Sequence, residues 1–164
     1  MKVTFRQVSH EDLKRLNDIV NDSDVSRYLQ LVPPVSMKST RDLFERCRKE
    51  KTRWYCIKVD GKIAGSTMVR KNNVKSKRGH TADFGINIAK EFWGKGVGDK
   101  TMEFVIKKSK KAGVKRLELE VVAENTRARR LYEKHGFMVE GVKKKSFRIG
   151  GRYHDTIMMA KLLD

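Results

Sequence analysis

The stretch FWGKGVGDK (residues 92–100) sets three glycines at alternate positions, Gly94, Gly96 and Gly98, between a tryptophan and the start of an amphipathic run. One glycine suffices for a tight turn from strand to helix. Three describe a backbone that lies against something bulky. The helix that follows, with its unpaired N–H groups and partial positive charge, makes that something an anion. Two familiar phosphate loops fail the spacing: GxxxxGK[ST] does not fit, and GxGxxG would need a glycine where Asp99 stands. A phosphate or pyrophosphate is expected at the loop, but not a nucleoside triphosphate or a nicotinamide dinucleotide.

Outward from the loop, HTADFGINIA alternates as a strand, with Ala82, Phe84, Ile86 and Ile88 on one face and Asp83, Gly85 and Asn87 on the other. On the other side Met102, Val105 and Ile106 mark a helix ending in Lys107, Lys108, Lys110 and Lys111, with Gly113 to close it. RLELEVV alternates again, NTRARRLYEKHGF reads as a helix capped by Asn125 and stopped by Gly136, and two closing strands flank RIGGR. Toward the N-terminus, VTFRQV predicts a strand and SHEDLKRLNDIV a helix with Ser9 as its cap. RYLQLVPPVSMK is a loop interrupted by Pro33 and Pro34, and STRDLFERCRKE a second helix capped by Ser39 or Thr40. RWYCIKVDGKIAGSTMVRK predicts a hairpin about Asp60-Gly61. The order β, α, α, β, β, β, α, β, α, β, β is that of one α/β domain of mixed sheet over residues 1–164, without an internal repeat.

The chain has 164 residues, 38% hydrophobic, enough for a core despite 35% charged residues. No stretch approaches the roughly 18 apolar residues of a membrane span, and MKVTFRQVSHEDL lacks the apolar run of a signal peptide, which points to a cytoplasmic protein with no membrane partner. Cys47 and Cys56 have no CxxC spacing, so buried free thiols are expected and no metal site. A net charge of +18 admits nucleic acid, ribosomes and phosphorylated cofactors as partners.

These residues resemble the GNAT superfamily of acetyl-CoA-dependent N-acetyltransferases over most of the chain. The family's loop motif, Arg or Gln followed by x-x-G-x-Gly or Ala, falls on Trp93, Gly96 and Gly98, with Trp93 in place of the basic or amide residue. HTADFGINIAKEFWGKGVG looks like the branch that acetylates ribosomal protein N-termini and related amines, and NTRARRLYEKHGF resembles a second family block. The resemblance implies a central sheet of about seven strands, splayed between the fourth and fifth and flanked by about four helices.

The resemblance also implies roles. The pantetheine arm of acetyl-CoA would bond the backbone of Ile86, Asn87 and Ile88 like an added strand. The pyrophosphate would meet the loop formed by Trp93, Gly94, Lys95, Gly96, Val97, Gly98 and Asp99, with Asn125 and Arg127 as further cofactor contacts and Lys100 and Arg130 as nearby charge. Tyr132 matches the family tyrosine beside the thioester sulfur, where a phenol of reference pKa about 10 can protonate a thiolate of about 8.5. Asp83 would relay the amine proton through water, with His80, His154 and Asp155 as other acids or bases. Tyr28 and Leu31 of the proline loop and Tyr153 and His154 of the closing hairpin would wall the amine site. The expected reaction is direct attack of a primary amine on acetyl-CoA in a ternary complex. A protein or peptide α-amine stands first as acceptor and a small-molecule amine second, with a ribosome- or nucleic-acid-associated module as the non-catalytic alternative; a homodimer stays open.

Overall fold

In the computed structural model, which describes residues 1–50 and 52–164, strand β1 (Val3–Gln7) runs antiparallel to β2 (Arg53–Val59), which turns through Asp60-Gly61 into β3 (Lys62–Lys71). Val59 stands opposite Lys62, and both turn residues have positive φ, 47° and 82°, as a two-residue hairpin turn of matching twist requires. Together with β4 (Thr81–Ile88), β5 (Arg116–Val122), β6 (Met138–Ile149) and β7 (Arg152–Leu162), these form a seven-stranded sheet in the order β1-β2-β3-β4-β5-β7-β6. Only β4 and β5 are parallel among the registered pairs, and their register covers Thr81, Ala82 and Asp83 against Arg116, Leu117 and Glu118.

Among the described residues the α-helices are five: α1 (Leu13–Asn21), α2 (Ser23–Ser26), α3 (Met37–Glu50), α4 (Val97–Lys111) and α5 (Thr126–Lys134). The one beyond the expected four is α2, a single turn whose N-cap Asp22 accepts from Asp24 N at 2.9 Å and Val25 N at 3.1 Å. Four residues are too few to show a helical period. The start of α3 also differs from the expectation. Its cap is Ser36, whose Oγ accepts from Ser39 N at 3.0 Å, because Thr40 is buried and takes a 2.9 Å bond from Asn17 Nδ2.

The chain packs as two compact units. The first, Met1–Arg70 with Gly85–Thr101, has a core of Leu13, Leu16, Ile19, Val25, Phe44, Cys47, Trp54 and Ala89. Asn17 and Asn21, poor residues for a helix interior, pin the proline loop to α1: both donate to the Val35 carbonyl at 2.9 Å, and Asn21 Oδ1 accepts from Val35 N at 2.7 Å. The second unit is Lys71–Phe84 with Met102–Asp164. Here β5 and β6 flank β7, and Met102, Val105, Val114, Leu117, Phe137 and Met159 are each at most 2% exposed. Cys47 and Cys56 are buried free thiols, and burial pushes the Cys56 thiol up to about 11.

Candidate active site

In the first unit the site is built on the exit from β4. A 3-10 turn, Lys90–Phe92, leads to Trp93, whose indole N–H donates to the Ile88 carbonyl at 2.7 Å while its ring packs against the helical core. The tryptophan in the basic or amide position of the motif thus ties the loop back to the strand it leaves. Gly94 and Gly96 follow at φ 70° and 75°, a region that costs an L-residue about 1–2 kcal/mol. A Cβ on either would meet no atom within 4 Å, so backbone conformation demands these glycines and the space beside them is open.

Gly98 is different. It lies in the first turn of α4 without positive φ, where glycine is about 1 kcal/mol worse than alanine. The turn does not require it, but close approach of a ligand to the helix start would. Lys100 N bonds Gly96 O at 3.2 Å; the N–H groups ahead of it in a helix have no partner four residues back. Val97 is 1% exposed and anchors the helix start in a cluster with Ile57, Val59 and Ala64, against which Ile86 and Ile88 pack.

Those side chains belong to the core, leaving the backbone for a cofactor. The Asn87 amide is likewise engaged, accepting from Ser66 N at 3.2 Å and donating to Ser66 Oγ at 3.0 Å. Lys95 is exposed with its ammonium 5.9 Å from the Phe92 ring centre. Tyr28 and Leu31 are half-buried, Tyr28 beneath the Arg27 guanidinium at 5.4 Å, whereas the neighbouring Leu29 packs into the core.

In the second unit Asn125 caps α5, its side chain accepting from Ala128 N at 3.3 Å. Two turns on, Tyr132 meets Phe84 and Phe137 with ring centres 5.9 and 6.0 Å apart. Burial pushes its phenol up to about 12, so the group stays protonated throughout the physiological range. Among the described residues its hydroxyl bonds no protein group. Asp83 is half-buried, next to Phe84 and opposite Glu118 in the register; Arg127 and Arg130 are exposed on α5.

The closing hairpin supplies a pair absent from the sequence reading: His154 Nδ1 and Glu124 Oε1 lie 2.9 Å apart. That bond, ahead of a backbone bond, lowers the Glu124 carboxyl below its usual value. With Nδ1 held by the carboxylate, Nε2 is the nitrogen left to exchange a proton. The one sequence signal for Glu124 is its place directly before the helix cap Asn125. Asp155 is a bound anion instead, accepting from Lys145 N at 2.9 Å and Lys144 Nζ at 3.0 Å, which lowers its carboxyl. His80 is exposed, and Tyr153 is 63% exposed on β7.

Beyond the end of β4, then, two left-handed glycines precede the start of α4, and α5 follows along the chain with Tyr132 packed against two phenylalanines. Residues 15–137 match the Acetyltransferase (GNAT) family, and the chain belongs to it. It is 29% identical to the spermidine N(1)-acetyltransferase of Escherichia coli over 159 residues, 96% of this chain and 84% of the relative. It is 32% identical to an L-amino acid N-acetyltransferase of Escherichia coli over 105 residues, 63% of this chain and 64% of the relative. A solved spermidine N-acetyltransferase from Vibrio cholerae, in complex with CoA and spermine, superposes with a TM-score of 0.90 at 26% identity over 98% of this chain and 95% of the other. The protein is an N-acetyltransferase and acetyl-CoA is its cosubstrate. These relatives are closer than the ribosomal-protein branch by sequence, so that finer likeness does not define the chain. No helix among the described residues is long and apolar enough to cross a membrane.

Proposed function

We propose that residues 1–164 act as one acetyltransferase domain that acetylates an α-amine, carried by a protein N-terminus, a peptide or an amino acid. The observation that carries cofactor binding is the helix start at Val97, with two left-handed glycines, Gly94 and Gly96, before it and open space beside them. The amides of residues 95–99 hold the CoA pyrophosphate, and the backbone of Ile86, Asn87 and Ile88 bonds the pantetheine arm. Ile88 offers its carbonyl less freely than the others, because Trp93 already bonds it. The neutral amine attacks the thioester carbonyl carbon, the tetrahedral adduct collapses with cleavage of the C–S bond, and Tyr132 gives its proton to the departing thiolate. The proton lost by the amine passes through water to Asp83 or to His154 Nε2, which Glu124 keeps oriented. No covalent enzyme intermediate forms; both cysteines are buried. Tyr28, Leu31, Tyr153 and His154 contact the acceptor.

The acceptor class follows from charge. A chain of net charge +18 draws a carboxylate-bearing amine and repels a polycation at long range, and the relative named for L-amino acids supports an α-amine. A polyamine acceptor is the second reading, favoured by the spermidine relative matched over 96% of the chain. Thiol release from acetyl-CoA with an alanine-starting peptide, free L-amino acids and spermidine decides between them. The α-amine reading expects the highest kcat/KM with a peptide or amino acid, and a higher value with spermidine overturns it.

A further inference from the structure

In the second unit two segments without a single acidic residue, residues 71–80 and 107–115, carry four and five lysine or arginine side chains, respectively. The fold joins them: Lys115 N and Arg116 N donate to the His80 carbonyl at 2.8 and 3.3 Å, and Lys71 Nζ donates to the Ala112 carbonyl at 2.6 Å. We infer that this joined surface, formed by the β3–β4 connection and the C-terminal end of α4, binds the phosphate backbone of duplex RNA.

Structural tasks account for only part of the charge. The end of a helix favours cations, but Lys71 already bonds the Ala112 carbonyl directly after α4. Lys108 lies 5.6 Å from the Phe104 ring centre. Arg78 pairs with Glu118 at 2.5 Å, and the same carboxylate accepts from Arg116 at 3.1 Å. Six lysines remain, Lys75, Lys77, Lys107, Lys110, Lys111 and Lys115; all are exposed and, among the described residues, none has an acidic partner. Several exposed lysines elsewhere are paired, as in Lys14 with Asp18, Lys38 with Asp42, Lys90 with Asp24 and Lys144 with Asp155. Six unpaired ammonium groups on one surface keep a positive field that attracts polyanions.

Chemistry narrows the polyanion. The two segments hold no Phe, Tyr or Trp, so they lack the stacking platforms with which proteins take up unpaired bases. Lysines are point charges that hold phosphates without reading sequence, and a duplex keeps its phosphates outward and its bases stacked. The choice of RNA rests on the proposed acceptor, since protein N-termini emerge at a surface of folded RNA.

The test measures binding of a fluorescent RNA duplex between 50 and 200 mM salt, with neither acetyl-CoA nor acceptor present, so its result is independent of the acceptor screen. With four to six phosphates neutralised, log Kobs falls with log salt at a slope of about −4 to −5. The variant Lys75→Glu/Lys107→Glu/Lys111→Glu loses at least about tenfold in affinity and flattens the slope by about 3. Lys2→Glu/Lys49→Glu/Lys62→Glu, exposed lysines of the other unit with the same change in charge, keeps wild-type binding. Acetyl-CoA thermal shift confirms that each variant is folded. Equal loss in both variants, no binding by the wild type at 100 mM salt, or binding to anionic vesicles or single strands as tight as to the duplex overturns the inference.

Discussion

Replacing Gly96 by alanine separates the two demands made on the glycine loop. At φ 75° a Cβ costs about 1–2 kcal/mol, less about 0.4–1 kcal/mol regained because alanine has fewer unfolded conformations to lose. No atom lies within 4 Å of the new methyl, so no clash adds to the cost, and the net loss of about 1 kcal/mol lowers Tm by about 2–4 °C. Gly61→Ala is the matched control: φ is 82° and again nothing lies within 4 Å, but the site is a hairpin turn. Both variants should lose similar stability. Only Gly96→Ala should lose acetyl-CoA affinity, because in the proposed placement the methyl stands where the pyrophosphate approaches the amides. A hydrogen bond to a charged group is worth about 1.5–3 kcal/mol, so displacing one raises Kd about ten- to 150-fold. Calorimetric titration of the two folded variants checks this. A Gly96→Ala protein that binds acetyl-CoA within twofold of wild type would falsify the placement of the pyrophosphate.

Tyr132→Phe should lower kcat by about 100-fold with little change in acetyl-CoA Kd; single-turnover rates within twofold of wild type remove the phenol from leaving-group protonation. Because burial raises Tyr132 to about 12, the stability gained by keeping it neutral is complete below its unfolded value near 10 and is lost as pH rises toward 12, and titration by ultraviolet absorbance should place its ionisation there. Tyr153→Ala/His154→Ala should raise the acceptor KM and leave the acetyl-CoA Kd unchanged; the reverse pattern exchanges the two assignments. Asp12→Ala should cost about 2 kcal/mol in a urea titration, reduced from a fully buried pair because Arg6 is 42% exposed. Desolvation alone would raise the Asp12 carboxyl, but its bonds to Arg6 and Ser9 outweigh this and hold it below the usual range. Its contribution is therefore present above the unfolded value of about 4 and lost as pH falls through the folded one.

What the sequence determined by itself was local. The hairpin at Asp60-Gly61, the cap at Asn125 and the helix start just after Gly96 were legible because each depends on the dihedral preferences and donors of a few adjacent residues. The seven strands and the longer helices followed from periodicity. Pairings distant in sequence were not legible: Glu124 with His154, and Thr40 turned from cap to core partner by Asn17. Even Trp93, near Ile88 in sequence, showed its role only once the strand ended and the chain turned back. A carboxylate in a sequence has many candidate partners, and packing alone selects one. Tertiary structure thus decided which glycines the turn itself demands, which acid is already engaged as an anion, and which lysines remain unpaired.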